Sequence, residues 1–151
     1  MAAGIIGSKT TPFLERINGM GFLKRLFART PKPGRPQTLT DEEFEQQVLA
    51  SDMPAIVDFW SPSCAPCQVM NGLFEEIGPD YVSKVNFFKI NATTNPETAR
   101  MYQVKSVPTL VIFKNHRPID KVVGLIPLNS LRSKLDQLIS SSNHQKRPMT
   151  G

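Results

Sequence analysis

Ala55 to Cys67 reads AIVDFWSPSCAPC, and this stretch decides the fold. Its first six residues are apolar apart from Asp58, and a run this uniformly apolar predicts a central β-strand buried on both faces. Two cysteines, Cys64 and Cys67, follow directly and are the only cysteines in the chain. A Cys-x-x-Cys that lies between a strand and a helix is typical of a redox-active dithiol.

The position of the pair predicts a separate role for each thiol. Cys64 would lie at the start of a helix that runs to about Ile77, where free backbone N–H groups and the helix dipole favour a thiolate. We therefore expect Cys64 to attack a substrate disulfide and Cys67, one turn further in, to resolve the mixed disulfide. Pro66 suits the first helical turn because it has no N–H to leave unsatisfied. Neither step needs a metal or an organic cofactor.

Other roles for the two cysteines meet specific objections. A closed zinc site needs four ligands, and the two histidines, His116 and His144, are far away in sequence and lack the usual spacing. A static disulfide between residues three apart closes a very small loop and constrains the unfolded chain little. A cysteine hydrolase needs a base beside its nucleophile, and the same histidines fall in a predicted hairpin turn and in a tail.

The rest of the chain alternates helices and strands. Periodicity and turn residues predict a helix from Thr40 to about Ala50, a strand at Val85–Ile90, a short helix from Pro96 to about Tyr102, a hairpin of strands Thr109–Phe113 and Ile119–Val123 around a turn at 114–118, and a helix from Leu128 to about Ile139. This order predicts an α/β fold in which a central mixed sheet has helices on both faces.

Six motifs, in a fixed order between about Gln37 and about Ile139, carry a family resemblance. They are Val57-Asp58-Phe59-Trp60, Cys64-Ala65-Pro66-Cys67, Asn95-Pro96, Ser106-Val107-Pro108-Thr109, Phe113-Lys114-Asn115 and Val123-Gly124. In these motifs the chain resembles the thioredoxin family, which implies the thioredoxin fold and reduction of protein disulfides by dithiol-disulfide exchange. The chain departs from the family at Ser63 and Ala65, where Trp and Gly are usual, at Gly72, where proline is common, and at His116, where the hairpin usually has glycine.

The resemblance also implies roles for residues beyond the two cysteines. Asp58 matches a buried aspartate that assists deprotonation of the second cysteine, and Lys89 falls where the family places its partner. The residue alone supports part of this, because a carboxyl inside an apolar strand is desolvated and its pKa rises. The alternative is that Asp58 lies at a strand edge and faces water.

Substrate contacts are implied for a further set of residues: Trp60, Ala65, Pro66, Val107, Pro108 and Gly124. Pro108 matches the family's cis proline, which leaves an open backbone edge at Val107 where an extended substrate segment can pair. The resemblance implies no cofactor beyond the Cys64–Cys67 disulfide and no metal. It implies disulfide-containing protein substrates, a thioredoxin reductase as electron donor, and a monomer.

The N-terminal extension, residues 1–36, differs in composition from the predicted domain at residues 37–140. Residues 1–37 hold seven Lys or Arg and one acidic residue, so their charge of +6 exceeds the +5 of the whole chain. The remainder is close to neutral and has no basic stripe among aromatic residues, which argues against a nucleic-acid partner. Residues 30–36 have the composition of a linker, and residues 141–151 that of a disordered tail.

Residues 21–29 of the extension form an amphipathic pattern. The apolar residues fall on one helical face and the basic residues on the other: Phe22, Leu23, Leu26 and Phe27 against Lys24, Arg25 and Arg29. The apolar run is too interrupted for a signal-peptide core or a membrane span. Three uses stay open: a tail or docking helix in the cytoplasm, an organellar transit peptide, or weak contact with a membrane surface or a partner. The cytoplasm is the expected location. A non-catalytic adaptor that works through this extension is the alternative to a reductase.

Overall fold

The computed structural model describes residues 34–143. The amphipathic pattern at residues 21–29, and the tail beyond residue 143, lie outside the described residues. The described elements, in chain order, are β1 (Gln37–Leu39), α1 (Asp41–Phe44), β2 (Ala55–Trp60), α2 (Ala65–Ile77), β3 (Asn86–Asn91), α3 (Pro96–Met101), β4 (Thr109–Lys114), β5 (Arg117–Val123) and α4 (Leu128–Asn143).

The strands form one mixed sheet in the order β1-β3-β2-β4-β5. Strands β1 and β2 run parallel to β3, whereas β4 is antiparallel to β2 and to β5. The central position of β2 agrees with its apolar sequence, since a strand covered on both faces has little use for polar side chains. The predicted α/β fold with a mixed sheet is confirmed.

Two apolar cores lie on opposite faces of this sheet. On one face, Phe74 of α2 and Leu131 of α4 belong to a core that includes Ile56 of β2. On the other face, Phe44 of α1 packs in a core that includes Val57, the next residue of β2. Successive residues of a strand point to opposite faces, so β2 supplies both cores.

Helix α1 differs from the prediction in length and in kind. It is α-helical only as far as Phe44, and the chain continues as a π-helical turn, Glu45–Leu49, closed by a hydrogen bond of 2.9 Å from the Ala50 N–H to the Glu45 carbonyl. The Glu43 carboxylate accepts hydrogen bonds from the backbone N–H and the hydroxyl of Thr40, at 3.0 and 3.3 Å. The helix therefore starts where the capping pattern predicts.

Hydrogen bonds join the N-terminal ends of α1 and α3. The Asp41 carboxylate accepts backbone hydrogen bonds from Glu97 at 3.2 Å and Thr98 at 2.9 Å, and the Asp41 N–H donates to Asn95 Oδ1 at 2.9 Å. Burial by itself would raise the pKa of Asp41, but the hydrogen bonds from Thr98 and Glu97 lower it below its ordinary value. A side chain of α1 thus satisfies free N–H groups at the start of α3.

The β4–β5 hairpin is tighter than predicted. Its turn is reduced to Asn115 and His116, whose φ angles of 51° and 64° are those of a two-residue hairpin turn. The ring Nδ1 of His116 lies 2.6 Å from the Leu49 carbonyl oxygen, which holds this histidine where glycine is the usual residue.

Helix α4 runs to Asn143, so the predicted tail from residue 141 is helical at its start. The Lys114 ammonium donates to the Leu138 carbonyl at 3.0 Å and also to Ser141. A cation near the C-terminal end of a helix interacts favourably with the helix dipole, which favours the extra turn.

Gly34 and Gly78 meet where the chain enters the domain. A Cβ on Gly78 would collide with the Gly34 carbonyl, and Gly34 itself has a φ of +80°, a conformation that favours glycine. Residues before the predicted boundary at 37 therefore already pack on the domain, next to the 3₁₀ turn Gly78–Tyr81 that follows α2.

Candidate active site

Cys64 and Cys67 are joined by a disulfide, with their Cα atoms 5.3 Å apart. Cys64 is the N-cap of α2 and is half-buried, and its Sγ accepts a hydrogen bond from the Cys67 N–H at 3.2 Å. Cys67 lies one turn inside the helix with only 2% of its surface exposed. The thiol predicted to attack is thus the accessible one, and the thiol predicted to resolve is covered.

The first turn of α2 is built to present Cys64. The Cys64 N–H donates to the Ser61 carbonyl at 3.2 Å, which closes the turn between the strand and the helix. Ala65 and Pro66 follow with exposed side chains, and Pro66 removes a donor that the helix would leave unpaired. The free N–H groups of this 13-residue helix and its dipole favour a thiolate on Cys64 once the disulfide is reduced.

Asp58 is buried in the middle of β2 with 1% of its surface exposed. In register it faces Lys89 on β3 and Leu110 on β4, and within residues 34–143 its Oδ1 atom has no hydrogen-bond partner. Burial raises the pKa of Asp58 to about 7, and the charge of Lys89 opposes the rise. The alternative that Asp58 lies at a strand edge and faces water is wrong.

A small cavity of about 160 Å³ joins this carboxyl to the buried cysteine. Its lining residues come from β2, β3 and α2: Asp58, Trp60, Cys67, Gln68, Asn71 and Lys89. The Lys89 ammonium lies 5.7 Å from the centroid of the Trp60 ring, and its hydrogen-bond acceptor in the described part of the chain is Asn71 Oδ1, at 3.0 Å. The structure thus brings the predicted carboxyl, lysine and tryptophan together beside Cys67.

Gln68 and Asn71 are the members of this cavity that sequence reasoning missed, and Asn71 is the one that contacts Lys89. A polar side chain between the buried Met70 and the partly buried Leu73 is an available signal. Its spacing is another, because a residue four positions after Cys67 lies on the same face of a helix. Asn71 stands in none of the family motifs.

A second wall of the site comes from the start of β4 and the end of β5. The Val107–Pro108 peptide bond is cis, as the resemblance implies, and the Gly124 N–H donates to the Pro108 carbonyl at 2.8 Å. The register pairs Phe59 of β2 with Thr109, which places this loop at the end of the sheet where Cys64 follows. Within the described chain the backbone N–H and C=O of Val107 make no hydrogen bond to the protein.

In residues 34–143, His, Cys, Asp and Glu side chains form no group of three or more that could hold a metal ion. His116, considered above as a zinc ligand, lies in the hairpin turn with its Nε2 3.6 Å from Asp52. None of the helices in this part of the chain combines the length and the apolar character that a membrane span requires.

Comparison with known proteins covers the same part of the chain. The thioredoxin family model matches residues 35–137. Thioredoxin 1 of Nostoc sp. is 41% identical over 99 residues, which cover 66% of this chain and 92% of that protein. The thioredoxin of Rickettsia bellii is 45% identical over 93 residues, covering 62% of this chain and 89% of that protein. Thioredoxin M4 of Arabidopsis thaliana, named as chloroplastic, is 36% identical over 101 residues, which cover 67% of this chain and 52% of that protein.

Proposed function

The chain belongs to the thioredoxin family and is a protein-disulfide reductase, and we propose that Cys64 is its nucleophile and Cys67 its resolving thiol. The observation that carries these roles is the asymmetry of the pair, since Cys64 is accessible at the helix N-cap and Cys67 is buried beneath it. The disulfide between them is the oxidised state of the site.

The proposed reaction runs from the reduced protein in two exchanges. The Cys64 thiolate attacks one sulfur of a substrate disulfide, which forms a mixed disulfide and releases the other substrate sulfur as a thiolate that takes a proton. Cys67 then loses its proton and attacks Cys64 Sγ, which forms the Cys64–Cys67 disulfide and releases the second substrate sulfur. Two electrons pass from the protein's dithiol to the substrate, which leaves as two thiols.

Asp58 is the proposed acceptor of the Cys67 proton. A group with a pKa of about 7 is able to take and return a proton near neutral pH. Asp58 and Cys67 line the same cavity of about 160 Å³, which is large and polar enough for water to carry the proton between them. Lys89, opposite Asp58 in the sheet, is the cation that moderates this carboxyl.

Substrate binding is proposed at the rim around Cys64. The exposed side chains of Ala65 and Pro66 form one side, and the loop at Val107–Pro108 and Gly124 forms the other. The free backbone groups of Val107 suit an extended segment on either side of the substrate cysteine, which would pair as an added strand. Trp60, which lines the cavity beside Cys67, is a further proposed contact.

Trapping experiments test the two thiol roles. Cys67→Ser should accumulate a mixed disulfide with a protein substrate through Cys64, because no thiol is left to resolve it. The matched control is Cys64→Ser, which keeps only the covered thiol and should trap little. Adducts on the control but not on Cys67→Ser would reverse the assignment. Reduction of insulin disulfides by the unaltered protein gives the baseline rate for both variants.

The proposed partners follow from the same site. Disulfide-containing proteins are its substrates, and a thioredoxin reductase is the proposed electron donor that returns the disulfide to the dithiol. We propose a monomer for the working unit. The adaptor hypothesis is not favoured, because the relatives are thioredoxins and the cysteine pair is at disulfide distance.

The N-terminal extension is proposed to decide location or partner choice and not catalysis. We propose a cytoplasmic location, and an organelle such as the mitochondrion if the extension is a transit peptide. A chain that starts at Gly34 keeps the contact with Gly78 and should reduce insulin at the rate of the full chain. It should lose any binding to anionic vesicles, because six of the seven basic residues of the extension are gone. Loss of reductase activity on truncation would make the extension part of the catalytic domain.

A further inference from the structure

Lys89 has a choice of acceptors, and the structure shows which one it uses. Its ammonium donates to Asn71 Oδ1 at 3.0 Å, while in residues 34–143 it forms no ion pair with Asp58, the residue directly across the sheet. Asp58 Oδ1 is buried and left without a partner. A buried carboxylate without a partner is an uncompensated charge, so ionising Asp58 in this arrangement is costly.

The amide of Asn71 is oriented by both of its neighbours. Its Nδ2 donates to Glu75 Oε1 at 3.3 Å, one helical turn further along α2, so its oxygen faces Lys89. An amide that donates to a carboxylate on one side and accepts from an ammonium on the other cannot be reversed without losing both bonds. Asn71 is therefore a hydrogen-bond acceptor of fixed orientation, and it determines the position of the Lys89 ammonium.

The ionisable groups around Asp58 come from two elements. Lys89 approaches from β3, and α2 contributes Cys67, which titrates only when reduced, and Glu75, which is reached through Asn71. On its other side Asp58 faces Leu110 of β4, which cannot ionise. Lys89 is the cation among these groups, and its charge opposes the rise in the pKa of Asp58 that burial causes.

We infer that Asn71 is a positioning residue that draws the Lys89 ammonium toward α2, so that Asp58 forms no ion pair with it and can hold a proton beside Cys67. The inference deepens the proposed function, since it concerns the same carboxyl and rests on its proposed role. It also gives a chemical meaning to a position outside every family motif. A lysine released from Asn71 would swing to Asp58 and hold it as a carboxylate.

The first experiment measures the titration of Asp58 in the oxidised protein, where neither cysteine ionises. The carboxyl carbon of Asp58 is followed by NMR from pH 4 to 9. In Asn71→Ala the midpoint should move to lower pH by about one unit or more, the range expected for a carboxyl that gains a close cation. Gln68→Ala is the matched control, since Gln68 lines the same cavity without bonding to Lys89, and it should leave the midpoint in place.

A double-mutant cycle separates the lysine from water that enters the enlarged cavity. In the Lys89→Met background Asn71→Ala should cause no further shift, because the cation is gone. A shift that persists there would overturn the inference, as would an unchanged midpoint in Asn71→Ala. Asn71→Leu keeps the side-chain volume but cannot accept a hydrogen bond, so it must give the same shift if Asn71→Ala does not fold. Asn71→Gln, which retains an acceptor, should restore most of the original midpoint.

The pH profile of insulin reduction tests the consequence for the reaction. The limb that reports Asp58 should move to lower pH in Asn71→Ala by the shift seen in the NMR titration. If Asp58→Asn reduced insulin at the unaltered rate, the proposed role of Asp58 would fail while the titration result stood. If Asp58→Asn were slow and Asn71→Ala left the titration unchanged, the role of Asp58 would stand and the role of Asn71 would fail.

Discussion

Replacing Asp58 by asparagine should make the oxidised protein gain stability relative to the unaltered protein as the pH rises. The carboxyl is 1% exposed, and burial raises its pKa to about 7 from an ordinary value of 3.8. Between those two values the folded protein keeps a proton that the unfolded chain has lost. The folded state binds more protons, so stability falls as the pH rises through this window and levels off above it.

The size of the effect follows from the pKa difference. One pKa unit corresponds to about 1.4 kcal/mol, so a rise of roughly three units lowers the free energy of unfolding by about 4 kcal/mol once Asp58 is fully ionised. Less than half of this is already lost at pH 5, and between pH 5 and pH 8 a further loss of roughly 2 to 3 kcal/mol remains. Asparagine has no charge to desolvate, so the Asp58→Asn variant does not show this pH-dependent loss in the free energy of unfolding.

Urea unfolding of the oxidised protein at pH 5, 7 and 8 measures the difference. The Asp58→Asn variant also buries an amide, which adds a pH-independent offset of either sign. The quantity to compare is therefore the change in the gap between variant and unaltered protein across the pH range, in which that offset cancels. Glu76→Gln is the matched control, because it makes the same chemical change at an exposed position of α2.

Parallel stability curves for Asp58→Asn and the unaltered protein would refute the reasoning. They would mean that the carboxyl has the same proton affinity in the folded and unfolded chain. The electrostatic argument for Asp58 as proton acceptor would then lose its basis. A gap that narrows with rising pH would be a sharper contradiction, because it would mean that Asp58 is stabilised as a carboxylate.

Two further predictions concern the scaffold. Asp41→Ala should lower the free energy of unfolding by about 1 kcal/mol at pH 7, because α3 loses its capping carboxylate. This deficit should shrink as the pH falls through the lowered pKa of Asp41. Urea unfolding at pH 7 and pH 3 checks this, and a deficit independent of pH would contradict it. Gly72→Ala and Gly78→Ala form a matched pair, in which the first should stabilise by up to about 1 kcal/mol, since its Cβ meets open space in a helix. The second should destabilise, since its Cβ meets the Gly34 carbonyl; thermal melts of both decide, and equal shifts would rule out that contact.

The parts of the fold that sequence predicts well are those decided by local pattern. The uniform apolar run before Trp60 predicts a doubly buried strand, and the Leu128–Leu138 spacing predicts the last amphipathic helix. Strand β1 was missed because Gln37–Leu39 is short and shows no clear alternation. It is a strand only because β3 lies beside it in register, and such pairing is a tertiary effect that local propensity does not contain.

The same distinction between local pattern and tertiary packing applies to the active site. The positions of the two cysteines at the start of α2 and the burial of Asp58 follow from the motif and from the apolar strand, and the structure has both. The roles of the two thiols stay predictions. The direction in which Lys89 points does not follow from sequence, because it depends on a side chain from another element. Asn71 is 18 residues away in the chain, and only the packing of α2 over the sheet brings the two together.

The energetics of Asp58 explain why such a contact matters. About 4 kcal/mol is a large share of the 5 to 15 kcal/mol by which domains of ordinary size are stable, so ionising this carboxyl is a burden that the two cores must outweigh. Pairing with the Lys89 ammonium would reduce that cost. The ammonium is instead held by Asn71, so the fold forgoes stability at the position where a proton acceptor is needed. If stability alone had shaped this cavity, an apolar residue at position 71 would suffice and Lys89 would pair across the sheet, so the observed contact is better explained by the reaction than by the fold.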